Sequence, residues 1–235
     1  HRLGFEPHLM EELKALLKNN PFVRVKSIFS HLAASDDTSF DGFTKNQIAR
    51  FDVMYSELVA SLNYQPIRHI LNTSGIFNYP EYQMEMVRLG IGLYGIGNSK
   101  QELQILENVS TLKSVISQIR TVLPEESIGY SRKFMVTNEM RVATIPIGYA
   151  DGIRRAWGNE KGFVVINNQK ATILGNICMD MLMVDITNIN CKPGDEVIIF
   201  GNSPKVTEIA ETIDTISYEV LTGISQRVKR IFYKN

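Results

Sequence analysis

Leu9, Met10, Leu13, Leu16 and Leu17 stand three and four residues apart, the spacing that gathers apolar side chains on one face of an α-helix. Pro7 suits the first turn of that helix, which is predicted over residues 7–19. An apolar stretch follows at 22–32, then a polar loop at 35–41. Ile48, Phe51, Val53, Met54, Leu58 and Val59 predict a long amphipathic helix over residues 44–62, with Thr44 as its N-cap. Residues 67–71 and 87–93 read as short buried strands. Strand, helix and strand in alternation argue for a parallel sheet with crossover helices, part of an α/β barrel or of a doubly wound sheet.

Near residues 97–110 the helical period gives way to β-branched runs at 112–122, 141–147, 163–166, 171–174, 181–186 and 196–200. Asn167-Asn168-Gln169-Lys170, between two of these runs, predicts a hairpin turn. One helix at about 206–213 and a shorter one at about 218–224 interrupt the pattern. The expected class is therefore α/β plus β, with an α/β domain over 1–104 and a mostly β domain over 105–235. No internal repeat or low-complexity stretch appears.

A chain of 235 residues buries a substantial core as one large or two ordinary domains. Its 25 basic and 25 acidic residues cancel, so nothing steers it toward nucleic acid or an anionic membrane, and a small-molecule partner is expected. Apolar residues, 44% of the chain, never form a run long enough for a spanning helix. Two cysteines, Cys178 and Cys191, suit a reduced compartment, and the chain reads as cytoplasmic. His31, Asp36 and Asp37 are not spaced as metal ligands, and no metal site is expected.

Gly90-Ile-Gly-Leu-Tyr-Gly95 has the form of a dinucleotide fingerprint. It opens no long crossover helix, which that motif requires, so a nucleotide site is set aside. Asn72-Thr73-Ser74-Gly75 is either a turn or, at the C-terminal end of a barrel strand, a phosphate site. Arg88 lies within an apolar segment, where an isolated guanidinium costs several kcal/mol, so it is expected to be paired. His31 ends an apolar stretch and is either a satisfied core histidine or a working one. Tyr130, in a polar Gly-Tyr-Ser-Arg loop, reads on composition alone as a surface tyrosine.

Seven segments stand in order along the chain: His1-Arg-Leu-Gly-Phe5, His31-Leu-Ala-Ala-Ser-Asp36, His69-Ile-Leu-Asn-Thr73, Val87-Arg-Leu-Gly-Ile91, Ile145-Pro-Ile-Gly-Tyr-Ala-Asp-Gly-Ile-Arg-Arg155, Gly175-Asn-Ile-Cys-Met-Asp180 and Thr215-Ile-Ser-Tyr-Glu219. Together they resemble the alanine racemases. The resemblance implies the C-terminal half of a TIM-type (β/α) barrel followed by a mostly β domain. It also implies pyridoxal 5′-phosphate as cofactor, alanine as substrate and a homodimer whose site is shared between subunits. The product, D-alanine, would serve cell-wall peptidoglycan. In such enzymes a lysine near the start of the barrel carries the cofactor and serves one face of the α-carbon. No lysine here sits in that motif, so the first half of the barrel is expected to lie outside this sequence, and the chain alone is expected to be inactive. The alternatives are a fold-related amino-acid decarboxylase using the same cofactor, and a non-catalytic dimerising module fused to a cell-wall ligase. Gly148-Tyr-Ala-Asp-Gly152 and Ile177-Cys-Met-Asp180 favour the racemase.

Position by position, the resemblance makes Tyr130 the second catalytic base. An ordinary phenol titrates near pH 10, so such a base needs cationic or hydrogen-bonding neighbours. The His31 position orients that tyrosine, from a partner subunit. Arg88 faces the pyridine nitrogen with His69 beside it. Because arginine does not give up its proton, the ring would stay unprotonated there and be a weaker electron sink. Thr73, Asn72, the main-chain N–H groups of Gly90 and Ile91, and the Tyr218 hydroxyl surround the phosphate. Arg2 and the Met179 N–H meet the substrate carboxylate, while Asp36, Tyr149, Arg155 and Asp180 line the channel. Asn176 departs from the pattern, since many members carry arginine there.

Overall fold

The computed structural model describes residues 1–233, and the chain divides into two compact units, His1–Glu107 and the remainder from Asn108. In the first unit a 3₁₀ turn at Pro7–Leu9 leads into α1 (Met10–Asn19). Strands β1 (Ser27–Phe29) and β2 (Ile67–His69) pair in parallel, Ser27 opposite Ile67 and Phe29 opposite His69. The helix between them, α2 (Asp41–Val59), makes the crossover of a βαβ unit. Leu32, Ile48, Phe51, Ile70, Leu71 and Tyr79 form the core beneath. Each such side chain contributes about 1.5–3 kcal/mol on burial.

Three expectations need correction here. Helix α2 begins at Asp41, so Thr44 is no N-cap. It lies within the first turn, fully buried, and its hydroxyl donates to the Ala34 carbonyl at 3.4 Å. The apolar stretch 22–32 forms only the three-residue β1, so His31 stands two residues past the strand. Residues 87–93 are not a strand. Arg88 N–H reaches the Leu71 carbonyl at 3.0 Å, but the amides of Gly90 and Gly92 turn to the Thr73 hydroxyl, and Ile91–Tyr94 is a 3₁₀ turn. Amides satisfied by a side chain are unavailable to a ladder. Helices α3 (Thr73–Asn78) and α4 (Lys100–Ile105) complete the unit.

The second unit is a seven-stranded sheet. In chain order its strands are β3 (Leu112–Val115), β4 (Gln118–Val122), β7 (Met140–Ile145), β8 (Phe163–Ile166), β9 (Gln169–Leu174), β10 (Leu182–Asp185) and β11 (Glu196–Phe200). A small hairpin, β5 (Ser127–Ile128) and β6 (Phe134–Met135), stands apart. In space the order is β3-β11-β8-β9-β10-β7-β4. The single run expected at 112–122 is thus two strands at opposite edges, joined by only Ile116 and Ser117. Two residues span roughly 7 Å, so the sheet curls until its edges nearly meet. Asn167 and Asn168 take φ of 48° and 62° between the paired Ile166 and Gln169, as a two-residue hairpin turn demands. Helices α5 (Val206–Thr212) and α6 (Ser217–Thr222) follow.

Candidate active site

In the first unit the parallel β1–β2 pair delivers two histidines to one guanidinium, His69 at the end of β2 and His31 two residues beyond β1. Arg88 donates to the carbonyls of Ser30 (2.8 Å), His69 (3.1 Å) and Ile70 (3.1 Å). It also meets the Nδ1 of His69 at 2.6 Å and of His31 at 3.2 Å. The His69 ring stacks on Phe29 with centroids 5.0 Å apart, and the guanidinium lies 5.1 Å from the Phe29 ring centre. The carboxylate partner expected of a structural ion pair is absent among the described residues; every acceptor of Arg88 is neutral. Desolvation, then the neighbouring Arg88 charge, lowers both imidazoles below their ordinary value, and Arg2 adds to the effect on His31. Neutral rings suit the geometry, because each can then accept from the guanidinium.

This cluster makes folding sensitive to mild acid. Below an ordinary histidine value of about 6.5, the unfolded chain protonates both imidazoles while the folded one resists. Their contribution is fully present above that value and is lost as pH falls through the lowered folded values. Glu85, held at about 2 by hydrogen bonds from Arg68, loses its contribution only below the ordinary carboxylate value of 4.5. Urea midpoints should therefore already decline between about pH 7 and about pH 5; midpoints flat across that window would contradict the lowered imidazoles.

Beside this cluster the buried Thr73 hydroxyl accepts from the N–H groups of Gly90 (3.0 Å) and Gly92 (3.3 Å). A hydroxyl has two acceptor positions and one proton to give, so the remaining capacity of Thr73 is donation. A Cβ at position 92 would meet Thr73 Cγ2 at 2.9 Å, which explains the glycine. The Gly90 N–H donates to Thr73, whereas the Ile91 N–H has no protein acceptor among the described residues. Asn72 is committed as well. Its Oδ1 caps α3 through Gly75 N–H (3.0 Å) and accepts from Ser35 Oγ (2.7 Å). Arg2 and Asp36 are exposed.

In the second unit Tyr130, Tyr149, Arg155, Asn176, Ile177 and Cys178 line a cavity of about 270 Å³. Two motifs distant in sequence are stitched together to build it. Tyr149 N–H donates to the Cys178 carbonyl (3.0 Å) and Ala150 N–H to that of Met179 (2.9 Å). Gly148 lies so close to these carbonyls that no Cβ fits. Three of the expected residues therefore meet on one cavity. Asp180 does not line it; it pairs with Arg227 at 2.8 Å, and Arg227 also lies 3.4 Å from Asp151. The exposed Met179 keeps its N–H without a protein acceptor among the described residues, and Tyr218 is half-exposed on α6. Burial pushes the Cys178 thiol up, against a smaller opposing pull from Arg155, which makes it a protonated lining group. Asn159, Asn176 and Arg227 were not read as site residues from sequence. Only Asn176 left a signal, its departure from the common arginine.

The chain is thus an α/β unit built on parallel strands, followed in sequence by a curled β unit, each with polar side chains gathered in a cluster or around a cavity. The family model described as "Alanine racemase, N-terminal domain" matches residues 1–98, and "Alanine racemase, C-terminal domain" matches 109–232. The chain belongs to the alanine racemase family. Alanine racemase 1 of Clostridium acetobutylicum is 39% identical over 100% of this chain and 62% of its own length. The solved alanine racemase of Bartonella henselae, with covalently bound pyridoxal phosphate, is 30% identical with a TM-score of 0.83 over 99% of this chain and 63% of that one. That of Bacillus anthracis, with bound L-Ala-P, is 28% identical with a TM-score of 0.86 over 100% of this chain and 62% of that one. The chain thus spans somewhat under two thirds of the relatives it matches.

Proposed function

We propose that this chain is part of an enzyme that interconverts L- and D-alanine with pyridoxal 5′-phosphate, working as a homodimer in the cytoplasm and supplying D-alanine for peptidoglycan. The observation that carries the reading is the meeting of Tyr130, Tyr149 and Arg155 on one cavity. The donor set suits the cofactor. Arg88 is a half-buried cation with only neutral partners, and Thr73 and Ile91 present a hydroxyl and an amide with capacity to donate. Two unpaired thiols, Cys178 and Cys191, support a reducing compartment.

Thr73 and the Ile91 N–H would hold the phosphate, and Arg88 the ring nitrogen. When bound, the cofactor supplies the electron-withdrawing ring that acidifies the α-hydrogen. Tyr130 Oη takes up or delivers that proton on one face, oriented by His31 of the partner subunit. Arg88, permanently protonated, donates to the ring nitrogen instead of letting it gain a proton, which restrains the pull on electrons and disfavours side reactions. Arg2 and the Met179 N–H bind the substrate carboxylate, while Tyr149, Arg155 and Asp36 shape the approach. Neither cluster contains a lysine, so the second base comes from elsewhere in the working protein. These 235 residues alone are expected not to racemise alanine.

Chiral chromatography of the native protein with the cofactor tests this reading. Either enantiomer is expected to move toward equal amounts of both, since enantiomers have equal free energy. Release of carbon dioxide and an amine, or no conversion of alanine, would contradict it.

A further inference from the structure

We propose that Asn176 is the positioning residue of Tyr130, fixing the place of its phenol through the main chain. The inference rests on the reading of Tyr130 as a base. The β5–β6 hairpin has only two paired residues on each strand, Ser127 opposite Met135 and Ile128 opposite Phe134. Its tip is held in unusual backbone: Gly129, Ser131 and Arg132 take φ of 75°, 61° and 48°. Left-handed serine and arginine persist only where the surroundings hold them. The Tyr130 side chain is 70% exposed, so packing does not place it.

Asn176 supplies the missing hold. It is buried at 9% exposure and lines the same cavity as Tyr130. Its Nδ2 donates to the Tyr130 carbonyl at 3.0 Å, and its Oδ1 accepts from Asn159 Nδ2 at 3.2 Å. Asn159 is itself pinned, its N–H on the Gly175 carbonyl at 2.8 Å. Gly175, at φ 60°, lies so near the last residue of β5 that a Cβ there would sit 2.6 Å from the Ile128 carbonyl. The relay Gly175–Asn159–Asn176–Tyr130 thus ties the hairpin tip to the backbone that packs against the end of β5. It also fixes the sense of the carboxamide: nitrogen to the carbonyl, oxygen to Asn159. Aspartate, nearly identical in shape, cannot donate to the carbonyl.

In the native enzyme Asn176→Asp should lower kcat about 10- to 100-fold with KM little changed, as expected of a misplaced reacting group. In deuterium oxide, α-hydrogen exchange should fall only for the enantiomer served by Tyr130. In a Tyr130→Phe background, Asn176→Asp should have no further effect, because the two act as a unit. Asn159→Ala, which removes only the far end of the relay, should give a smaller loss in the same exchange, and decides the matter if Asn176→Asp does not fold. Equal losses for both enantiomers, additivity with Tyr130→Phe, or unchanged exchange in the folded variants would overturn the proposal. If Tyr130→Phe itself leaves racemisation intact, the assignment of the base fails first. If Tyr130→Phe is crippled and Asn176→Asp is not, only the positioning role fails.

Discussion

Tyr130→Phe in the native enzyme is expected to lower racemisation by about 10²- to 10⁴-fold in both directions, the range a positioned acid–base group supplies. Both directions suffer because each overall conversion needs one proton removed and one delivered, on opposite faces, and is limited by the impaired half. The substitution removes one oxygen from a side chain that is 70% exposed, so the fold is expected to be unaffected. The cavity keeps Tyr149, Arg155 and Asn176, and the groups proposed for the cofactor include no Tyr130 atom. Initial rates from each enantiomer, with cofactor content measured alongside, are the check. Lost cofactor would make Tyr130 a binding residue instead.

Arg88→Glu should have the second-largest effect, and on two separate readouts. Three carbonyls and two imidazole nitrogens now share one guanidinium. A carboxylate offers them no donor, and hydrogen bonds to charged groups contribute about 1.5–3 kcal/mol each with strong non-additivity. Folding stability should fall by about 3 kcal/mol or more, read from urea denaturation. The chemistry should change as well. An acid that can share a proton with the ring nitrogen strengthens the ring as an electron sink, so pyruvate from transamination should rise relative to racemisation. Unchanged stability with no extra pyruvate would place Arg88 away from the cofactor.

Much of the fold was legible because its elements carry strong local signals. The 3,4 spacing of Leu9 to Leu17 gives α1, and the runs at 163–166 and 196–200 coincide with β8 and β11. The Asn-Asn pair gives its hairpin because asparagine tolerates left-handed backbone. What failed to show was set by tertiary partners. Residues 87–93 look like a strand by hydrophobicity, but Thr73, some 17 residues earlier, takes the amides of Gly90 and Gly92. Residues 112–122 read as one strand because nothing local says that they cross from one sheet edge to the other. For the site, motif matching picked out Tyr130, Tyr149 and Arg155, which share a cavity. It could not show that Asp180 is taken by Arg227, Asn72 by Gly75 and Ser35, or Asn176 by Tyr130. Apart from the local Asn72–Gly75 cap, those are choices among partners far apart in sequence.

The most direct test of Tyr130 as one of two opposed bases is deuterium uptake at the α-carbon of each enantiomer, followed by mass spectrometry in deuterium oxide for the native enzyme and Tyr130→Phe. The native enzyme should label both enantiomers. Tyr130→Phe should still exchange one of them, through the remaining base, while interconversion nearly stops. Labelling and interconversion of both enantiomers at native rates in Tyr130→Phe would contradict a proton-transfer role for this tyrosine.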